Sequence, residues 1–231
     1  YFDCVYRGKI QTKHKGMLDM YYVKGIKPEL SVDHAGIEPN DKFWKIVDLH
    51  LYSSINYMKA ERHIMKLLEE ELSPKLLYHS INHTMDVTQA VERLAIMEGI
   101  TDEDLFLLKS AATYHDAGFV EKYDKNEEIG IRMAREILPK YGYTTEQLDI
   151  IDGLIKSTEI PQSPKTHLEQ IMCDADLDYL GRDDFHVIAD YLRRELREHG
   201  KLDSDRTWDE IQIKFLNQHT YFTDSAIQLR Q

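Results

Sequence analysis

The spacing of apolar positions along this chain changes near residue 40. Residues 2–6 and 17–23 are short runs rich in aromatic and β-branched side chains. Between them, Arg7-Gly8 reads as a break or bulge, residues 9–13 alternate, and His14-Lys15-Gly16 is a turn signal. This pattern predicts a two-stranded hairpin. Gly25, Pro28, Gly36 and Pro39 then punctuate a linker. A hairpin this short is marginal alone. From about Asp41, a plausible N-cap, apolar residues recur every three or four positions, the helical period. Helices are predicted over 41–72, with a break near Ser53-Ser54 and a stop at Ser73-Pro74, and over 82–97, stopped by Gly99. Thr101 caps a third helix, which ends in His115-Asp116 before Gly118. Further helices fit 126–138, 145–156, 167–180, 183–199 and 204–218. The expected fold is an all-α bundle at 39–231, preceded by a hairpin and linker at 1–38.

Four polar side chains interrupt the apolar stripes. His83 falls in line with Val87, Ala90, Val91 and Leu94. His115 falls in line with Leu105, Leu108 and Ala112, and Asp116 follows it. Asp176 sits among Met172, Ala175, Tyr179 and Leu180. Such stripes face a core. A buried, unpaired carboxylate costs several kcal/mol, roughly, and would rather neutralise or find a cation. Taken singly, each residue reads more simply as a core histidine or a helix cap. Taken together, one divalent metal ion between three helices satisfies all four. The donor set suits an ion with oxygen and imidazole ligands, and Mn²⁺, Fe²⁺, Mg²⁺, Ni²⁺, Co²⁺ and Zn²⁺ all remain open. Such an ion makes water a nucleophile near neutral pH and polarises a phosphoryl oxygen. Asp116 has a second reading as a partner orienting that water. Lys156 and Arg182 are candidate phosphate-binding cations, against the plainer reading of solvated charges at helix ends. The charge runs Glu69-Glu70-Glu71 and Arg193-Arg194-Glu195 read as solvated helix faces.

Composition narrows the field. A chain of 231 residues is long enough for a well-buried domain with an appendage. Its net charge of −12 argues against a nucleic-acid-coating role. Cys4 and Cys173 make no disulfide framework, so a reducing cytoplasm is expected. No apolar run approaches a membrane span. The chain does not begin with Met, so a fragment of something longer, or a processed chain, is expected.

The run Tyr78-His79-Ser80-Ile81-Asn82-His83-Thr84 is followed by two others. They are Ala112-Thr113-Tyr114-His115-Asp116-Ala117-Gly118-Phe119 and Cys173-Asp174-Ala175-Asp176-Leu177-Asp178-Tyr179-Leu180-Gly181. Together they resemble the HD-domain superfamily of metal-dependent phosphohydrolases. The resemblance implies an all-α fold and a metal site at the positions of His83, His115, Asp116 and Asp176. Asp174 is a rival for the last ligand. Asp176 is preferred because the family's ligand follows a small residue, here Ala175. The spacing of His79 and His83 is similar to that in cyclic-nucleotide phosphodiesterases, distant HD relatives, and implies that His79 protonates the leaving oxygen. The plainer reading of His79 is a surface or capping residue. Binuclear HD enzymes use further histidines between the His-Asp pair and the final Asp. Here only His167 lies in that interval, so a single ion is expected.

The segment from Tyr6 to Gly16, with Met20-Tyr21-Tyr22-Val23, resembles the closing strands of a class III nucleotide cyclase, in which Lys13 would meet substrate phosphates. Most of a cyclase is absent, so no cyclase activity is expected. An attached cyclase domain in a longer protein is implied, with homodimerisation open. The expected activity is hydrolysis of a small, nucleotide-like phosphoester, with a cyclic nucleotide as the sharper reading. The rival is a regulatory module that binds metal and nucleotide without turnover and controls the attached cyclase.

Overall fold

The structure, a computed structural model, describes residues 1–12, 16–100 and 102–230, with side chains described outside 10–12, 16–18, 44–56 and 102. Lys13, His14, Lys15 and the Thr101 cap lie outside the described residues. The chain divides into two compact units, residues 1–55 and 56–231.

The first unit contains the hairpin. Strands β1 (Phe2–Thr12) and β2 (Gly16–Ile26) pair antiparallel, from Phe2 opposite Ile26 to Thr12 opposite Gly16. The strands are longer than the predicted runs, because cross-strand pairing carries the ladder past the β-rich residues. The register shifts between Tyr6 and Gly8, where a bulge was expected, and Gly8 takes φ +116. Only glycine adopts that backbone without strain. Ile26, Leu30 and Phe43 form a small apolar cluster beyond the hairpin. Tyr6, Tyr21, Tyr22 and Val23 stay exposed.

Helix α1 (Asp41–Glu71) is continuous in its backbone. The break expected at Ser53-Ser54 is absent. Serine costs only a few tenths of a kcal/mol, roughly, in a helix, far less than proline would.

The second unit holds no strand among its described residues, and after α1 its helices are α2 (Ile81–Met97), α3 (Asp102–Tyr114), α4 (Asn126–Ile137), α5 (Thr145–Ser157), α6 (His167–Asp176), α7 (Phe185–Glu198), α8 (Asp205–Gln218) and α9 (Asp224–Arg230). Reciprocal capping boxes start α5 (Thr144 with Gln147) and α6 (Thr166 with Glu169). The core gathers Ile64, Leu68, Leu94, Leu108, Ile155 and Met172. The α2 stripe of Val87, Ala90, Val91 and Leu94 is buried as its spacing predicted.

Two predictions fail here. The sixth predicted helix, 167–180, ends at Asp176, and the chain continues as a 3-10 turn, Asp178–Gly181. Helix α9 was not foreseen; seven residues are too few for a periodic signal.

Two glycines permit close backbone contacts. A Cβ on Gly118 would stand 2.0 Å from the Asn126 carbonyl oxygen, and one on Gly130 would stand 2.4 Å from that of Tyr114. These contacts pack the start of α4 against the segment after α3. Gly118→Ala should therefore lower the melting temperature by roughly 5 °C, equivalent to overpacking of about 1–3 kcal/mol. Thermal denaturation followed by circular dichroism checks it; an unchanged melting temperature would mean the contact relaxes freely.

Candidate metal centre

Three chain segments bring the predicted ligands together. His83 lies in the first turn of α2. His115 continues the turn that ends α3, its N–H donating to the Ala111 carbonyl at 2.9 Å. Asp116 leaves helical geometry at φ −105, ψ 6. Asp176 is the last residue of α6. One atom each from His83, His115 and Asp176 lies within a 4.8 Å set. The two Nε2 atoms are 3.4 Å apart, and Asp176 Oδ1 is 3.3 Å from each. Asp116 Oδ2 is 3.4 Å from His83 Nε2 and 3.1 Å from His115 Nε2.

The ring of His115 is oriented by its other nitrogen, which donates to the Ala112 carbonyl at 2.8 Å. A carbonyl only accepts, so the proton sits on Nδ1 and Nε2 is left to ligate. Asn126 Nδ2 donates to Asp116 Oδ1 at 3.0 Å and holds the outer carboxylate oxygen.

The electrostatics match a cation site. Burial opposes a charge on His83, but Asp116 and Asp176 outweigh it and raise its pKa to about 8. His115 is raised well above its ordinary value by the same two carboxylates, again against burial. Burial alone would raise both aspartates, yet the imidazoles hold Asp116 well below and Asp176 below the usual carboxylate range. The cluster thus favours positive charge at its centre. Two imidazole nitrogens and two carboxylates fit a divalent ion with open positions.

Asp174, the rival ligand, has another task. It is fully buried and accepts from the backbone N–H groups of Phe222 (2.9 Å) and Thr223 (2.8 Å) and from the Thr223 hydroxyl (2.7 Å). It anchors the entry to α9. Asp178, two residues beyond Asp176, is also buried, and accepts from Arg230 Nε at 2.9 Å and from Arg93 at 2.8 Å. Tyr221 Oη donates to the Leu177 carbonyl at 3.2 Å. The C-terminal segment therefore grips the chain on both sides of Asp176. Arg230→Ala should weaken binding of Mn²⁺ about 10-fold, the scale of an outer-shell loss, and destabilise by roughly 2–4 kcal/mol. Calorimetric titration and urea unfolding check it; wild-type affinity in a destabilised variant would sink the positioning role.

His79 lies just before α2, not on its face. Its Nδ1 donates to Glu195 Oε1, and Glu195 Oε2 accepts from the backbone N–H groups of Tyr78 (2.7 Å) and His79 (3.0 Å). Tyr123 Oη donates to Glu195 Oε1 at 3.0 Å. Phe119 stacks on the His79 ring at 4.1 Å between centroids. Glu195 was expected on a solvated face, but it is 0% exposed. A dense run of charges concealed it; its neighbours Arg193 and Arg194 do face solvent, at least in part. Burial would raise its pKa, and the His79 ring and these donors hold it below the ordinary value instead.

Two cavities flank the cluster. One, of about 360 Å³, is lined by His83, Asp176, Arg182, Asp86, Ser80 and Asn82 among others. The other, of about 210 Å³, is lined by His79, Asp116 and Asp176 together with a largely apolar wall. Arg182 reaches the first cavity already paired with Asp86 (2.6 Å) and Asp184 (2.6 Å). Lys156 lines neither; it pairs with Glu159 at 2.6 Å beside a third cleft. His167 pairs with Glu98 at 3.2 Å, away from the cluster.

Residues 80–178 match the family model of the HD domain. His83, His115, Asp116 and Asp176 all fall within the matched span. The fold is shared with the crystal structure of a predicted HD superfamily hydrolase from an uncultured Thermotogales bacterium. The two are 19% identical, the match covers 73% of this chain and 82% of that chain, and the TM-score is 0.51. No curated protein matches the chain. The family match starts at residue 80, so it leaves the hairpin and its cyclase resemblance outside. Among the described residues, no helix is long and apolar enough to cross a membrane.

Proposed function

We propose that this chain is a metal-dependent phosphohydrolase acting on a small phosphoester, with a nucleotide as the preferred substrate class. The observation that carries this reading is the convergence of His83, His115 and Asp176 within 4.8 Å, with Asp116 against both rings. These four residues would hold one divalent ion. When bound, that ion supplies Lewis acidity, which polarises a phosphoryl oxygen and makes water nucleophilic near neutral pH.

The rest of the chemistry belongs to side chains of the chain. His79 shares a cavity with Asp116 and Asp176. Its Nδ1 proton is held by Glu195, and its Nε2 exchanges the proton that the leaving oxygen needs. Glu195 fixes the ring orientation and offsets the charge that the ring carries when protonated. Asp116 is steadied by Asn126 and presents its other oxygen to the cluster, where it orients the attacking water. Arg182, on the other cavity, meets a phosphate oxygen only by sharing its guanidinium with Asp86 and Asp184. The pairing of buried Glu195 with half-buried His79 favours catalysis over a purely sensory role, since binding alone does not need an oriented proton carrier.

The test is turnover by the Mn²⁺-loaded protein of nucleoside monophosphates, cyclic nucleotides and a generic phosphodiester, with Asp116→Ala alongside. Hydrolysis lost in the variant supports the reading. No turnover across the panel, at about one ion bound per chain, overturns it in favour of a ligand-binding module.

A further inference from the structure

We infer that Asp86 captures an incoming divalent ion at the rim of the site, and that Arg182 is its removable cover. From Asp86 the path to the cluster runs along one face of α2. The inference rests on the metal-centre reading above and adds to it the route by which the site fills and empties.

A buried metal site needs an entry path. The cluster is nearly enclosed, with the side chains of His83 and Asp176 7% and 13% exposed. Two cavities reach it. The one that holds His79 is walled largely by Leu192, Leu196, Trp208, Ile211 and Phe215, which offer a hydrated cation nothing in exchange for its water. The other sets Ser80, Asn82, Asp86 and Gln89 beside the ligands His83 and Asp176. Asn82, Asp86 and Gln89 follow one another at spacings of four and three, so they share one face of α2. Ser80 stands at the N-cap of that helix, yet its hydroxyl makes no capping bond. Hard divalent cations give up water for oxygen ligands, and this strip supplies them.

The placing of Asp86 and Arg182 is the second observation. Besides the inner cavity, both line an outer cleft of about 600 Å³, together with Arg93, Asp183, Asp184 and Arg230. No other residue lines both, so the pair stands where cleft and cavity meet. Arg182 Nη1 donates to Asp86 Oδ2 at 2.6 Å. Its Nε and Nη2 donate to the two oxygens of Asp184, at 2.9 and 2.6 Å. A cation that takes Asp86 therefore displaces one hydrogen bond and leaves Arg182 in its forked pair with Asp184. The Asp86 side chain is 41% exposed, and ion pairs so open to water are worth little. The first turn of α2 carries the positive end of its dipole, which repels a cation. A carboxylate one turn further along offsets that field and draws the ion in.

The experiment follows Mn²⁺ and the full chain in the absence of substrate. Uptake is measured by stopped-flow mixing with metal-free protein, release by mixing the loaded protein with excess chelator, and Kd by calorimetry. Asp86→Asn should slow uptake about 10-fold, the lower end of what a focusing charge does for an on-rate. Release should slow in step, with Kd within about threefold of wild type, because a residue on the path changes the barrier more than the bound state. Asp86→Glu should restore both rates. Arg182→Gln uncovers Asp86 and should speed uptake several-fold. Asp183→Asn removes an equal charge from the outer cleft alone, and should leave both rates within about twofold, since exposed charges are screened over about 10 Å. A folding defect would lower the fraction of chains that bind and leave the rates of the rest as they were. Wild-type rates in Asp86→Asn, equal slowing in Asp183→Asn, or a Kd that weakens as much as uptake slows would overturn the capture role and leave the metal centre standing. Wild-type protein that binds no Mn²⁺ overturns both.

Discussion

His115→Ala is expected to abolish metal-dependent turnover and to weaken Mn²⁺ binding more than about 100-fold, beyond the range typical of outer-shell partners. Of the four candidate ligands it is the most completely enclosed, at 1% exposure, and its ring is locked by the bond to the Ala112 carbonyl. Lewis-acid stabilisation is worth several kcal/mol, so turnover should fall by roughly 10³-fold or more. Competition with protons gives a second signature. His83, raised to about 8, must be neutral to ligate, so Mn²⁺ affinity should climb as pH rises toward 8. The metal-free protein should behave oppositely. The folded pKa of His83 is above its unfolded value near 6.5, so the stability it contributes is complete below about 6.5. That contribution is lost as pH rises through about 8. Chelator-treated protein should thus melt lower at pH 8.5 than at pH 6, and Mn²⁺ should reverse the order. Metal affinity that is flat across this range, or His115→Ala binding as wild type does, would remove these residues from the ligand set.

The legibility of this site in the sequence follows from where each residue sits. His83, His115 and Asp176 stand on apolar stripes, and their polarity is conspicuous against a periodic background. The helices that carry them were readable for the same reason. Glu195 lies in a dense run of charges, where one buried member cannot be told from exposed ones. Asp178 is opposed by Arg93 and Arg230, about 85 and 52 residues away in sequence, and no local pattern joins such partners. Asp174 and Asp176 are separated by two positions, so local spacing could not choose between them. The contacts of Phe222 and Thr223 give Asp174 partners of its own, through a segment where no helix was foreseen.

Glu195 is the residue whose replacement should separate positioning from ligation most clearly. Its carboxylate takes hydrogen bonds from two backbone N–H groups, the His79 ring and the Tyr123 hydroxyl, in a fully buried place. Glu195→Ala strands these donors away from water, at roughly 3 kcal/mol or more, and should lower the melting temperature by about 10 °C. It also leaves His79 free to rotate, so the loss of an aligned proton donor should cost roughly 10²–10⁴ in kcat. Glu195→Gln is the more informative variant. It keeps one acceptor oxygen for the backbone N–H groups of Tyr78 and His79, so most of the stability should remain. It removes the negative charge facing the ring, so kcat should still fall at least about 10-fold. Mn²⁺ affinity should stay within about twofold of wild type in Glu195→Gln, because the carboxylate touches none of the four candidate ligands. KM should change little for the same reason, which places the loss in the transition state and not in substrate binding. Stopped assays across a substrate series, with calorimetry for the metal, measure all three quantities. If kcat and Mn²⁺ affinity fell together in Glu195→Gln, the residue would be a structural support for the metal centre. If neither moved, His79 would not be the proton carrier, and the leaving oxygen would draw its proton from another source.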